Sequence, residues 1–141
     1  MKKKLILAII IIIILIIAVY AIFNKKGDIY SVNIISKESK IYSKNDIDNA
    51  IDETLNYFKE NFEGCSLLEL EYIGDEENNG YTDWARRNNK EQVIVFVSSF
   101  NVDSSGGEHG ALNPNSKYEG WKWILVKNEN EYWKCVDCGQ G

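Results

Sequence analysis

The chain has 141 residues, enough for one folded domain but too few for two. Residues 24–141 carry 13 basic and 21 acidic side chains, a formal net charge of −8, whereas residues 1–23 carry three lysines and no acid. Because nucleic acid requires a basic surface, this balance excludes nucleic acid as the expected partner. Aromatic residues make up 12% of the sequence and there is one proline, which favours a packed core over disorder.

The N-terminus contains an unbroken run of 19 apolar residues at 5–23. A helix of about 20 residues spans the hydrocarbon core of a bilayer, so this run predicts contact with the membrane through residues 5–23. Three lysines precede the run and two follow it, so the positive-inside bias predicts a single-pass protein of the cell membrane with a cytoplasmic N-terminus. The alternative is a secretory signal cleaved near Ala21, but such signals have apolar regions of only about 7–15 residues.

These observations divide the chain into three parts. Residues 1–23 are predicted to form a transmembrane anchor with a basic cytoplasmic end. Residues 24–42 show no sustained helical stripe, although 30–34 alternate briefly as a strand would, and we expect them to form a spacer. Residues 43–141 are predicted to form an extracytoplasmic α+β domain.

A long amphipathic helix is the strongest signal in the body. Ser43 can cap its first turn, with an acidic residue three positions later. Apolar residues then recur at spacings of four, four, three and four from Ile47 to Phe62, and Gly64 is a natural stop. The pattern predicts one buried stripe along about five turns.

The sequence of the rest of the body predicts mainly strands. The expected elements are a strand at 66–73, an acidic turn at 75–80, a short helix at 82–89, a strand at 92–102, a long loop at 103–120 and a hairpin of strands 121–127 and 132–136. Sequential strands that follow helices favour the α+β class, with an antiparallel sheet of about four strands and the helices on one face.

Several short motifs carry a resemblance over about residues 41–137. They are Tyr42-Ser-Lys-x-Asp46, Tyr57-Phe58-Lys59-x-Asn61-Phe62-x-Gly64-Cys65, Asp103-Ser-Ser-Gly-Gly107 and Leu112-Asn-Pro-Asn115 with Trp121-Lys-Trp-Ile-Leu-Val126. The chain resembles a family of small, uncharacterised, exported or membrane-anchored Gram-positive bacterial proteins. The element order is similar to the nuclear-transport-factor-2-like (cystatin-like) cone. The resemblance implies a long helix packed on a curved antiparallel sheet and a location outside the cytoplasm, and it carries no catalytic residues.

Three cysteines and the single histidine make up a possible Cys₃His zinc set, consisting of Cys65, Cys135, Cys138 and His109. A structural zinc site normally uses two tight ligand pairs, whereas Cys65 and His109 are each isolated. A disulfide between Cys135 and Cys138 is the second reading, although a regular strand would point them to opposite faces roughly 10 Å apart. We favour the third reading, three free thiols, and predict no metal and no cofactor.

Residues 75–83 match the first nine positions of a calcium-binding EF-hand loop. Arg86 occupies position 12, where such a loop needs a bidentate glutamate. The sequence therefore favours an ordinary polar turn over a calcium site.

The functional candidates are few. His109 is the only imidazole, and no serine-nucleophile motif or phosphate-binding loop is present. Aromatic residues could form a ligand wall, but Trp121 and Trp123 share one strand face as core residues would.

We therefore predict no catalytic residue and favour a membrane-anchored, extracytoplasmic, non-enzymatic binding or accessory module. Its expected partner is an envelope protein or ligand that the sequence leaves unidentified. The alternative is a small-molecule-binding or enzymatic pocket in the cone. Its polar and aromatic wall would come from Tyr81, Trp84, Asp103 and His109.

Overall fold

The computed structural model describes residues 1–23 and 25–141. The first element is the helix α1 (Lys2–Phe23), which is long and apolar enough to span a membrane. An N-terminal signal sequence has the same character, so the helix itself leaves both readings of the N-terminus in place.

The remaining elements build an α+β body. The helices are α2 (Lys44–Asn61), α3 (Asp75–Asn78) and α4 (Thr82–Arg87), with 3-10 turns at Asn79–Tyr81 and Glu108–Gly110. The strands are β1 (Asn33–Ile35), β2 (Cys65–Tyr72), β3 (Gln92–Val102), β4 (Lys117–Lys127) and β5 (Lys134–Gln140). The α+β class and the N-terminal apolar helix are confirmed.

The five strands form one mixed sheet in the order β1-β2-β3-β4-β5. The pairs β2–β3, β3–β4 and β4–β5 are antiparallel, whereas β1 runs parallel to β2 with Ile34 opposite Leu70. The prediction of an antiparallel sheet of about four strands is corrected here, because β1 adds a fifth strand and a parallel pairing. A run of three residues is too short to reveal in sequence that it pairs with a strand more than thirty positions away.

Helices cover both faces of the sheet, which also differs from the prediction of helices on one face. The side chains of β3 alternate: Ile94 and Phe96 pack beneath α2, and Val93 and Val95 join a cluster with Ala85 of α4. The unbroken apolar run in β3 is therefore the mark of a strand that is buried on both sides.

The start of α2 is fixed by the predicted cap and by the hairpin that follows β4. Asp46 N donates to Ser43 Oγ at 3.1 Å, and Ser43 Oγ donates to the Asp46 carboxylate at 2.6 Å. Lys127, only 7% exposed, donates to the same carboxylate at 2.7 Å and lies 4.8 Å from the centre of the Trp133 ring. Trp133 Nε1 donates to Asp46 O at 3.0 Å.

The segment expected to be a spacer is packed against the body. Gly27 N donates to Lys59 O at 2.9 Å, and Asp28 N donates to Cys65 O at 2.8 Å. Gly27 is buried, and a Cβ there would lie 2.5 Å from Phe58 O. Along the described part of 24–42, the chain thus continues from α1 into contacts with the end of α2 and the start of β2.

Three β-bulges interrupt the ladder. They lie in β2 between Leu67 and Glu69, in β4, where Glu119 and Gly120 both lie opposite Ser99, and in β5, where Val136 is the extra residue opposite β4. A bulge bends its strand and increases the local twist, so the bulges favour a curved sheet around α2.

Candidate functional site

The clearest candidate site is a cleft of about 430 Å³ at the C-terminal end of α2. It opens between that end of the helix, the beginning of β2, the loop at 103–116 and β4. Its lining residues are Asn61, Phe62, Cys65, Glu108, His109, Ala111, Leu112 and Trp121. The volume lies within the range of roughly 300–1,000 Å³ that is usual for small-molecule sites. We call this site the apolar cleft.

One wall of the apolar cleft is an extension of the aromatic core. The rings of Phe62 and Trp121 meet edge to face, with centroids 5.9 Å apart. Behind them Phe100 lies 5.3 Å and Tyr118 lies 5.6 Å from Trp121. The indole N–H of Trp121 is buried, so the part of this ring that faces the cleft is carbon surface.

The opposite wall is held in place by two buried glycines. Gly106 and Gly107 have φ values of +77° and +76°, which residues with a Cβ rarely adopt. A Cβ on Gly106 would lie 2.8 Å from Leu112 O, and Leu112 N donates to Gly106 O at 2.8 Å. This tight turn fixes the backbone of Leu112 beside Gly106 and so sets the position of the Leu112 side chain at the cleft.

Asp103 organises the base of the same loop. Its carboxylate accepts hydrogen bonds from Ser105 N at 2.8 Å and from Ser105 Oγ, and these bonds hold the pKa of Asp103 below its usual range. Asp103 N donates to Gly64 O at 2.8 Å, which joins the loop to the turn after α2. The Asp103 side chain is therefore engaged in shaping the loop.

His109 lies at the rim of the apolar cleft. Its side chain is 91% exposed, and its Nε2 is 3.5 Å from Glu108 Oε1. Its backbone has a φ of +53° within a loop whose neighbouring glycines are also left-handed. The imidazole is thus available to solvent and to a ligand that projects from the cleft.

Tyr81 and Trp84 lie on the other face of the sheet. Both pack against the small cluster beneath α4, with Lys122 Nζ 5.8 Å from the Tyr81 ring and the Arg87 guanidinium 5.7 Å from the Trp84 ring. The structure therefore brings His109 and Asp103 to one loop and separates them from Tyr81 and Trp84 by the thickness of the sheet. The four residues do not form a common wall.

The cysteines are free thiols in two separate places. Cys65 lies in the apolar cleft, where burial raises its pKa to about 11. Cys135 and Cys138 oppose Leu125 and Trp123 on β4, so the bulge at Val136 turns both thiols toward α2. Burial raises the pKa of Cys135 to about 12.

Strands β3 and β4 separate Cys65 from the other two thiols. Over residues 1–23 and 25–141, no group of three or more His, Cys, Asp or Glu residues is placed to hold a metal ion.

Asp75, the first residue of the EF-hand-like segment, has structural partners. Its carboxylate accepts from Ser39 Oγ at 2.6 Å, from Lys40 N at 2.7 Å and from the Tyr72 hydroxyl at 2.9 Å. The bond from Ser39 contributes most to lowering the pKa of Asp75. These bonds tie the segment before α2 to the start of α3.

The sequence does not identify Phe62 and Leu112 as residues of a site. Its pattern predicts Phe62 as part of the apolar stripe of the helix, but α2 ends at Asn61 and leaves this ring half-buried beyond its last turn. Its position in the sequence indicates this exposure, since Phe62 is the last apolar residue before the helix-terminating Gly64. Leu112 is an apolar residue in a loop rich in glycine, which is a second signal of the same kind.

Comparison with protein families, curated proteins and solved structures finds no match to this chain. The apolar cleft and the helix that precedes the body are therefore the two features of the chain that bear on its function.

Proposed function

We propose that the protein is a non-enzymatic ligand-binding module held at the outer surface of the cell membrane, with the apolar cleft as its binding site. The observation that carries this proposal is the cleft itself. It joins aromatic and aliphatic walls that are fixed by the core on one side and by a glycine turn on the other. A largely preformed apolar concavity with a few polar groups at its rim is the usual form of a small-molecule site.

The chemistry of the rim supports binding rather than catalysis. His109 and Glu108 are the ionisable groups at the edge, adjacent in sequence, with side chains 91% and 54% exposed. General acid–base catalysis uses side chains that are held at hydrogen-bond distance from the reacting group. The surroundings of these two side chains are instead open to solvent, where water screens their charges.

The N-terminal helix and its flanking lysines support the orientation. The proposal keeps α1 uncleaved in the bilayer, with Lys2, Lys3 and Lys4 in the cytoplasm and the body outside. Without protease, the body should be found in the membrane fraction. Protease added to intact protoplasts should then digest it. Protection from protease would contradict the orientation, and release of the body into the medium would contradict the uncleaved anchor.

We also propose that the body is related to the nuclear-transport-factor-2-like cone. Two features support this relation, the long α2 on one face of the sheet and the three bulges that bend its strands. An experimental structure would test it, because a cone requires α2 to lie in the concave side of the sheet. A flat sheet beneath α2 would contradict the relation.

Ligand binding can be tested without knowing the ligand. The full chain would be released from its native membranes and weighed by native mass spectrometry for co-purifying molecules. Ala111 is an exposed residue that lines the cleft, so Ala111→Arg should fill the opening with a charged side chain and leave the fold intact. Asn113→Arg adds the same charge at an exposed position of the same loop outside the lining.

We expect a bound molecule in the wild type and in Asn113→Arg, and its loss in Ala111→Arg. Equal occupancy in the two arginine variants would show that the ligand lies elsewhere. A wild-type protein that carries no ligand from its own membranes would count against the binding function.

A further inference from the structure

We propose that the ligand of the apolar cleft is the acyl chain of a phospholipid from the same membrane that holds the anchor. This inference rests on the proposed function and names the class of ligand. It follows from the place at which the anchor joins the body.

The anchor enters the body directly beside the cleft. Gly27 N donates to Lys59 O in the last turn of α2, two residues before the cleft residue Asn61. Asp28 N donates to the carbonyl oxygen of Cys65, whose side chain lines the cleft. One backbone hydrogen bond therefore links the incoming chain to the wall of the site.

The tether is also short. The helix α1 ends at Phe23, and Gly27 is already bonded to α2. Four residues span at most about 14 Å even when fully extended, because each residue advances the chain by about 3.3–3.6 Å. If α1 crosses the bilayer, this end of the body is held within that distance of the end of the apolar helix.

Backbone hydrogen bonds place the cleft loop at the same end. Asp103 N donates to Gly64 O at 2.8 Å, and the next residue, Cys65, accepts from Asp28 N. Asp103 begins the loop that carries His109, Ala111 and Leu112 to the cleft. Both walls of the cleft, the end of α2 and the loop, are therefore next to the residues that leave the membrane.

The chemistry of the cleft fits a hydrocarbon chain. Phe62, Leu112 and Trp121 provide ring and aliphatic surface, and polar side chains are found at the rim. Moving an acyl chain from lipid to protein gains little by itself, because the bilayer is equally apolar. The gain comes from the protein side, since the chain removes the exposed cleft surface from water.

Tryptophan fluorescence gives a direct test. All four tryptophans, at positions 84, 121, 123 and 133, are in the body and none is in α1, so emission reports on the body alone. The full chain would be placed in nanodiscs of phosphatidylcholine, either with bromine on the acyl chains or without it. Bromine quenches an indole that it approaches closely.

We expect the brominated lipid to reduce emission from the wild type and from Trp84→Phe, because Trp84 lies on the opposite face. The loss should be much smaller in Trp121→Phe, where Trp123, whose ring lies 5.0 Å from that of Phe62, is the nearest remaining indole to the cleft. It should be absent in Ala111→Arg and retained in Asn113→Arg, so the test does not depend on one tryptophan substitution. Equal emission in the two lipids, or a loss that persists in Ala111→Arg, would overturn the inference.

The two proposals can fail separately. A co-purifying molecule that is lost in Ala111→Arg, together with no bromine effect, would leave the binding function in place and exclude the phospholipid chain. An empty protein with no bromine effect would exclude both.

Discussion

The two faces of the sheet are built with different side chains. Between α2, an 18-residue helix, and the sheet, the largest fully buried residues are Trp123, Tyr72, Phe58, Phe96 and Phe100. Beneath α3 and α4, which have four and six residues, the buried cluster contains only alanine, valine and isoleucine. Large rings therefore fill the layer between the long helix and the sheet, whereas small side chains fill the layer between the short helices and the sheet.

This difference explains where the candidate site lies. An aromatic layer ends abruptly where its helix ends, because the last rings have no further turn to cover them. Phe62 and Trp121 are such rings, and the apolar cleft is the space beside them. The aliphatic layer has no equivalent edge, since the rest of that face of the sheet carries polar residues such as Glu69 and Lys117.

The comparison predicts that the aromatic face carries most of the stability. Phe58 is fully buried and its ring contacts those of Phe62, Phe100 and Trp123. We expect Phe58→Ala to lower the free energy of unfolding by about 3–5 kcal/mol, because it removes burial and leaves a cavity. On the aliphatic face, truncation of the fully buried Val95 to the same residue, Val95→Ala, removes two carbon atoms and should cost about 2 kcal/mol. Urea denaturation monitored by circular dichroism measures both, and equal losses would contradict the comparison.

The next effect concerns the charged pair at the start of α2. The bond from Lys127 holds the pKa of Asp46 below its usual value. A lowered folded-state pKa gives stability that is present above the unfolded value of about 3.9 and is lost as the pH falls through the folded value. We expect Asp46→Asn to cost about 1.5–3 kcal/mol at pH 7.

The difference between Asp46→Asn and wild type should shrink as the pH falls below about 4, because both proteins then carry a neutral side chain at this position. Urea titrations at a series of pH values would show it. Asp48→Asn, two residues on and paired only with the exposed Lys44, is the matched control and should leave the midpoint unchanged. A gap that is constant with pH would exclude the charge as its cause.

Strand β2 pairs with β3 only as far as Phe96, and beyond that point the side-chain amide of Asn78 bonds to the backbone of β3. Asn78, only 2% exposed, donates to Val93 O at 3.0 Å and accepts from Val95 N at 2.9 Å. Asn78→Ala leaves Val95 N without this partner, whereas Val93 O keeps the bond from the Tyr42 hydroxyl, and the change should cost about 1–3 kcal/mol. The neighbouring exposed Asn79→Ala should cost under about 0.5 kcal/mol. Similar melting temperatures for the two variants would contradict this role.

The smallest effect is expected at the surface of α4. Arg86 pairs with Asp83 three positions earlier, and both side chains are more than half exposed. Water and salt screen such a pair, so Arg86→Ala should leave the denaturation midpoint unchanged within error. A clear fall in the denaturation midpoint would mean that the aliphatic face depends on its surface charges.

Local patterns predicted the elements, and distant contacts decided the rest. The cap at Ser43, the stripe of α2 and the bounds of β3 are written within a few residues of each other, so the sequence revealed them. Strand β1 depends on a partner far along the chain. The apolar cleft joins Phe62, Leu112 and Trp121, which are up to 59 positions apart, so no local pattern could show them together.

The bulge in β5 has a consequence for changes in chain length. Cys135 and Cys138 are three positions apart, yet they face the same side because Val136 has no counterpart on β4. Loss of Val136 would convert the strand to ordinary alternation and leave both sulfur atoms facing α2. Loss of Asp137 with the bulge gone would do the same. One added residue between the cysteines, without a second bulge, would instead turn Cys138 to the other side of the sheet. This strand therefore tolerates shortening by one residue better than lengthening by one.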